Sequence, residues 1–268
     1  YKRMVLTMIK RFFGDLKKYW KYIKYSTKSQ LKTEVTGSYL SWIWLFLNPI
    51  CFMLIYTFIS IIVFKSKQEY YTVFVFIGLT AWNFFQGTIT SAVSLVRNNR
   101  DTVIKVYVPK FILLITNMSV KTIKFLISFS LVVICMFIYQ VPISWNVLFF
   151  IPIYIILYLV TFGLASIFMH FGVFVEDLKN LVPILFRMLF YISGVFFSLN
   201  RVPKPYSSLL EKFNPVAAII SSFRKCLMYQ KTPSLKLLAF WFVIGIILSL
   251  IGIRTIYKYE NTYVKVMK

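Results

Sequence analysis

Three cations stand where this chain has least room for charge: Lys121, Lys124 and Arg187 lie inside long apolar runs. Lys121 and Lys124 are about one helical turn apart, so on a helix they share a face. A cation within an apolar membrane segment usually faces protein or water and marks a substrate path. The chemistry it suits is phosphate recognition, with ammonium as a point charge and guanidinium as a bidentate fork. The lysines sit roughly ten residues into their run, about 15 Å along a helix at ~1.5 Å per residue. Snorkelling of the ammonium to the membrane interface therefore fits them equally well. Around the cations the runs carry Trp42, Trp44, Trp82, Phe84, Phe85, Phe190 and Tyr191. Aromatic faces stack on sugar rings and let a polymer slide, although aromatics in such runs also serve as packing or interface anchors.

The groups needed for catalysis are scarce. The chain has one histidine, His170, and eight acids, of which only Glu176 and Asp177 are adjacent. No HExxH, CxxC or Walker-type GxxxxGK[ST] spacing occurs. Cys51, Cys135 and Cys226 are odd in number and widely spaced, which gives neither a disulfide framework nor a zinc pattern. The residues thus argue against an enzyme, against a resident cofactor or metal, and against ATP hydrolysis by this chain.

The elements that position these side chains follow from where charge is missing. Residues 35–64, 70–96 and 125–175 contain no Asp, Glu, Lys or Arg. A water-facing surface needs charge for solubility, whereas one at the bilayer centre costs about 2.5–3.5 kcal/mol on insertion scales. With 59% hydrophobic and 19% aromatic residues, the 268-residue chain reads as an all-α integral membrane protein. Since about 20 apolar residues cross the hydrocarbon core, six spans are expected, at about 39–64, 72–94, 111–139, 146–173, 181–199 and 237–256. Asn48-Pro49 should kink the first.

The net charge of +23 suits a membrane anchor rather than nucleic-acid binding, because ten Lys and Arg residues precede the first apolar run. Residues 3–30 place Val5, Met8, Ile9, Phe12, Phe13, Leu16, Trp20 and Ile23 at helical spacing among those cations, which predicts an interfacial amphipathic helix. The first apolar run follows more than thirty residues, so it is not expected to be a cleavable signal peptide. Six spans put both termini in the cytoplasm together with the basic loop from Arg97 to Lys110, satisfying the positive-inside rule. Residues 200–236 would then lie outside. They are too long for a hairpin, and Leu209, Leu210, Phe213, the run 216–220 and Phe223 predict short re-entrant helices.

Several separated motifs resemble the ABC-2 type permeases that export polysaccharides and teichoic acids, the teichoic-acid and O-antigen exporter permease family. They are Ser38-Tyr39-Leu40-Ser41 with Trp44 and Asn48-Pro49; Gly78-Leu79-Thr80-Ala81-Trp82-Asn83-Phe84-Phe85; Ile104-Lys105-Val106-Tyr107-Val108-Pro109-Lys110; and Asn214-Pro215-Val216 with Arg224. Leu185-Phe186-Arg187-Met188-Leu189-Phe190-Tyr191-Ile192-Ser193 looks most like the teichoic-acid branch. Departures are Ser41 for a usual glycine, Glu176 where an arginine often precedes Asp177, and Gly194 where a proline often follows the serine.

The resemblance implies a cytoplasmic interfacial helix over 1–34 and an ABC-2 type transmembrane domain over 35–268 in the cell membrane. It also implies a homodimer bound to separate ATPase subunits that hold ATP and Mg. The cargo would be a polyprenyl-diphosphate-linked teichoic acid or polysaccharide. Arg97, Arg100, Asp101 and Lys105, with Glu176 and Asp177, would meet the ATPase. Lys121, Lys124 and Arg187 would take the cargo's phosphate. Asn214, Pro215 and Arg224 would form the external re-entrant motif. A small-molecule or drug exporter of the same superfamily is the alternative within transport. Outside it stand a membrane glycosyl- or acyltransferase, disfavoured by the missing acid–base set, and a non-transporting envelope scaffold.

Overall fold

The computed structural model describes residues 2–35, 43–63, 69–199 and 202–267. The motif at Ser38–Ser41, the candidate Trp42 and both ends of the first expected span lie outside these residues. Every regular element among the described residues is helical: α1 (Lys2–Lys18), α2 (Trp20–Val35), α3 (Trp44–Phe58), α4 (Tyr71–Asn98), α5 (Arg100–Lys105), α6 (Lys110–Ile138), α7 (Phe150–Phe174), α8 (Leu178–Ile192), α9 (Tyr206–Phe213), α10 (Pro215–Leu227) and α11 (Leu235–Met267). A π turn, Ile59–Val63, continues α3, and a 3₁₀ turn, Trp145–Phe149, leads into α7.

Among the described residues, four helical stretches are long and apolar enough to cross a bilayer: Tyr71–Asn98, Lys110–Ile138, Trp145–Phe174 and Leu235–Val266. These match the expected second, third, fourth and sixth spans, with the last running well beyond residue 256. The chain is a multi-pass membrane protein. The other two expected spans are represented by shorter helices. At 15 residues each, α3 and α8 measure about 22 Å against a hydrocarbon core of ~30 Å. The expected span at 181–199 stops being helical after Ile192, where Gly194 takes a left-handed φ of 69°. A proline, fixed near −65°, could not adopt that angle. Helix α3 passes through Pro49 without a break.

The core is organised around α4. Its first twelve residues, 71–82, are all buried, as expected of a helix apolar on every side. Helices α3, α6, α7, α8 and α10 pack about it, and α11 lies along α7. Glycines set the closest approaches. A Cβ at Gly172 would stand 2.0 Å from the Val93 carbonyl oxygen, and one at Gly163 would stand 2.5 Å from Leu248 Cβ. In lipid, where apolar surface provides little drive for helices to associate, such close backbone contact is a main source of attraction.

The amphipathic segment at 3–30 is two helices divided at Tyr19 rather than one. Its inner face also differs from a purely lipid-facing stripe. Ile23, Thr27 and Leu31 of α2, which packs on α6, are buried, and the Phe12 ring of α1 lies 4.8 Å from that of Phe111, tilted by 36°. Phe13 and Trp20 remain exposed.

Candidate functional site

Two regions gather the residues singled out by the sequence. The first is the end of α4 that leads into the basic loop. Asn99 closes α4 by donating Nδ2 to the Leu95 carbonyl at 2.8 Å, and the chain turns at once into α5. Val103 anchors α5 in the core. Arg100, Asp101, Ile104 and Lys105 are exposed, an outward face of mixed charge that suits docking to another protein.

Arg97 is not part of that outward face. Its Nη1 pairs with Glu176 at 3.1 Å and its Nη2 donates to the Val173 carbonyl at 2.9 Å. The expected Arg97 and Glu176 contacts thus meet each other and tie the basic loop to the α7–α8 joint. Lys179 hydrogen-bonds Glu176 at 2.9 Å, and Lys179 and then Arg97 hold its carboxyl below the usual carboxylate range. The ion pair therefore persists at neutral pH and is lost only as pH falls through that lowered value. Asp177 is exposed at the start of α8. A further network binds the same loop inward. The Tyr107 hydroxyl accepts from Arg11 Nη2 at 3.2 Å and donates to Glu260 at 3.3 Å, while the Tyr19 hydroxyl donates to the Tyr107 carbonyl at 3.2 Å. Tyr257 donates to Asp15 at 2.8 Å. Helices α1 and α11 and the Tyr19 turn between α1 and α2 are thereby latched to the loop, and no local pattern in the sequence announces these pairings.

The second region is a cavity of about 520 Å³ between α3, α4 and α8. Trp82 comes from α4; Arg187, Phe190 and Tyr191 come from α8. All four were expected from the sequence. Tyr56 of α3 and the polar pair Asn83 and Gln86 of α4, which were not, complete the walls. Arg187 is exposed and has no hydrogen-bond or ion-pair partner among the described residues. The Trp82 indole donates to Gln86 and its ring lies 5.4 Å from Phe190. An open guanidinium beside aromatic faces and an amide is equipped to hold an anionic group next to a sugar.

Phe84 and Phe85 do not line this cavity. They are 3% and 4% exposed, Phe84 within a ring cluster with Phe125, Tyr154 and Tyr158, and Phe85 against Phe186. Trp82, 2% exposed, is as buried as they are and lies 6.2 Å from Phe85, so it lines the cavity from within the core. Trp44 is exposed on α3 and lies outside the cavity lining.

Below the cavity, α4 carries one polar face. From Asn83 to Arg97 its half-exposed or exposed positions are Asn83, Gln86, Gly87, Thr90, Ser91, Ser94 and Arg97, and the residues between them are buried. The spacing of three, four and seven is visible in the sequence and would have flagged Asn83 and Gln86. Lys121 of α6 approaches this face, its Nζ 3.9 Å from where a Cβ on Gly87 would stand. It forms no ion pair among the described residues. Lys124, one turn on, pairs with Glu34 of α2. The two lysines therefore separate: Lys124 is neutralised by the amphipathic helix, and Lys121 is not.

The Asn214, Pro215 and Arg224 motif forms a clamp. Asn214 caps α10, accepting from the Val216 and Ala217 amides at 3.1 and 3.2 Å, with Pro215 at the first helical position. Arg224 is buried and donates to the carbonyls of Phe74 (3.0 and 3.1 Å), Gly194 (2.7 Å) and Val195 (2.6 Å). It fits only because position 78 is glycine, where a Cβ would come within 2.8 Å of Nη2.

A family model described as the ABC-2 type transporter matches residues 21–228. The chain belongs to that family. Among relatives, it is similar to the O-antigen export system permease protein RfbA of Klebsiella pneumoniae, at 26% identity over 242 residues, covering 90% of this chain and 93% of the relative. RfbA of Myxococcus xanthus is 25% identical over 205 residues, 76% of this chain and 79% of the relative. The polysialic acid transport protein KpsM of Escherichia coli is 29% identical over 103 residues, 37% of this chain and 40% of the relative. In this ABC-2 transporter, the Arg97–Glu176 pair gives a direct test of whether the basic loop and the α7–α8 joint move as one unit. Reversing either charge (Arg97→Glu or Glu176→Arg) is expected to leave the exposed joint folded but slow transport by about fivefold, the lower range of coupling effects. The double reversal should restore it. A double variant as slow as its parents would show that the two elements act separately.

Proposed function

We propose that this chain is the permease subunit of an ATP-driven exporter that moves polyprenyl-diphosphate-linked teichoic acid or cell-surface polysaccharide across the cytoplasmic membrane. The observation carrying this reading is the cavity between α3, α4 and α8, with Arg187, unpaired among the described residues, set among Trp82, Phe190 and Tyr191. Similarity to O-antigen export permeases over nearly the whole chain supports the polymer class. In this account α3 and α8 complete a set of six spans, both termini are cytoplasmic, and α9 and α10 are external re-entrant helices. The cavity lies between α4 and the two least buried of the proposed spans. A second copy of the chain would close it, and the pathway would run between the two protomers.

Each residue then has a defined part. A separate ATPase subunit binds ATP and Mg and receives the outward face of α5, Arg100, Asp101 and Lys105, together with Asp177. Arg97 and Glu176 carry its movement between the two cytoplasmic joints. The diphosphate head group passes along the polar face of α4, where Lys121 and then Arg187 meet it, and the aromatics support the sugars. Lys124, compensated by Glu34, holds α2 in place instead.

Replacing Arg187 with Gln tests this reading with little structural penalty, because the guanidinium has no partner to lose. A charge-assisted hydrogen bond is worth about 1.5–3 kcal/mol, so export is expected to fall at least about tenfold and lipid-linked precursor to accumulate inside. Lys121→Gln should act in the same direction. Normal surface polymer in both variants would remove the head-group assignment. A permease that purifies from its native membrane without any ATPase subunit would overturn the exporter reading itself.

A further inference from the structure

A second cavity, of about 440 Å³, lies beside the Arg224 clamp at the end of α4 opposite the basic loop. Phe74, Ser193, Ser221, Arg224, Lys225 and Lys231 are among its walls. Its charge is unbalanced. Glu211 neutralises Lys225 at 3.5 Å and also takes the Ser221 hydroxyl at 3.1 Å. Arg224, 4% exposed, donates only to neutral carbonyls and pairs with no carboxylate among the described residues. Lys231 is exposed and its ammonium likewise has no partner there. A buried cation without a counter-charge is costly, and an anion in the adjoining cavity relieves that cost.

The surroundings indicate which anion. Helix α9 packs on α10 and leaves Tyr206, Leu209 and Phe213 exposed, at 64%, 45% and 77%, with Lys212 on the same short helix. Ile192, next to the cavity residue Ser193, is 45% exposed. Apolar side chains interleaved with lysines are what the boundary between acyl chains and head groups selects. A soluble anion needs the cations only; a phospholipid uses both.

We propose that this cavity binds the phosphate head group of an anionic phospholipid in the leaflet away from the ATPase. The leaflet rests on the topology proposed above; the lipid site does not. A bound lipid there would brace the clamp that joins α4, the turn after α8, and α10.

The test uses the full-length permease in detergent, with bound lipid read by native mass spectrometry after exposure to phosphatidylglycerol or phosphatidylcholine. Retention should favour phosphatidylglycerol. Lys231→Gln should weaken that preference about fivefold, in keeping with the contribution of one basic residue near an anionic surface, and Lys231→Arg should keep it. Inorganic phosphate alone should leave the melting temperature unchanged. Equal retention of the two lipids, or an unaltered preference in Lys231→Gln, overturns the proposal. Stabilisation by inorganic phosphate without lipid preference overturns it in favour of a free-anion site. Labelling of Lys231→Cys in intact cells by a membrane-impermeant maleimide, above the background of the native cysteines, checks the leaflet separately. A lipid preference with no such labelling would keep the site but reverse the topology.

Discussion

Replacing Arg224 with Gln is expected to lower the melting temperature of the purified permease steeply and to expose residues 202–227 to protease. The guanidinium is the common donor to three carbonyls on two separate segments, Phe74 at the start of α4 and Gly194 and Val195 after α8. Each carbonyl left without a donor costs about 1–3 kcal/mol when buried. Breaking a buried charged network by removing one member typically costs about 3–5 kcal/mol. That is a large part of a total stability of ~5–15 kcal/mol. Lysine should not rescue, because a compact ammonium cannot span carbonyls that the planar fork reaches together. Gly78→Ala should act in the same direction but more weakly, since its Cβ meets Nη2 at 2.8 Å and the Val195 carbonyl oxygen at 3.2 Å, and the side chain can yield where the backbone cannot. Wild-type melting of Arg224→Gln would show that the clamp does not hold α10 against α4.

An equally large effect is expected from one methyl group at Gly172. Its Cβ would sit 2.0 Å from the Val93 oxygen and 2.7 Å from the Val93 carbonyl carbon, so the obstruction is backbone on both sides and α4 must move away from α7. Overpacking of this kind costs about 1–3 kcal/mol and occasionally more. The displaced helix is also the one on which the cavity, the polar face and Arg97 depend. Gly172→Ala should therefore melt lower and lose transport together. Gly14→Ala is the matched control: nothing lies within 4 Å of a Cβ there, and alanine in a helix is about 0.5–1 kcal/mol better than glycine. Equal melting of the two variants would refute the account of α4–α7 packing.

Much of the architecture was legible beforehand. The apolar runs located four long helices to within a few residues at most ends, apart from the extended last helix, and the apolar positions 209–210, 213, 216–220 and 223 marked the short helices α9 and α10. Trp82, Arg187, Phe190 and Tyr191 were also singled out, by residue type alone, before the structure brought them into one cavity. The errors cluster where a residue's role depends on something far along the chain. Lys121 and Lys124 look alike in sequence, and only the approach of Glu34 distinguishes them. Arg97 and Glu176 read as two separate outward contacts until the fold joined them.

The sequence by itself determined that this chain lives in a bilayer, where its helices run and which cations interrupt them, because the hydrocarbon core penalises charge wherever the chain enters it. Which face of each helix meets protein was decided only by the tertiary structure. In lipid both faces of a span are apolar, so hydrophobic pattern carries little information about burial, and helix rotation is set instead by glycine contacts and polar pairing. That is why Phe84 joined the ring cluster of Phe125, Tyr154 and Tyr158 while Trp82, two residues earlier and equally buried, came to line the cavity with Arg187.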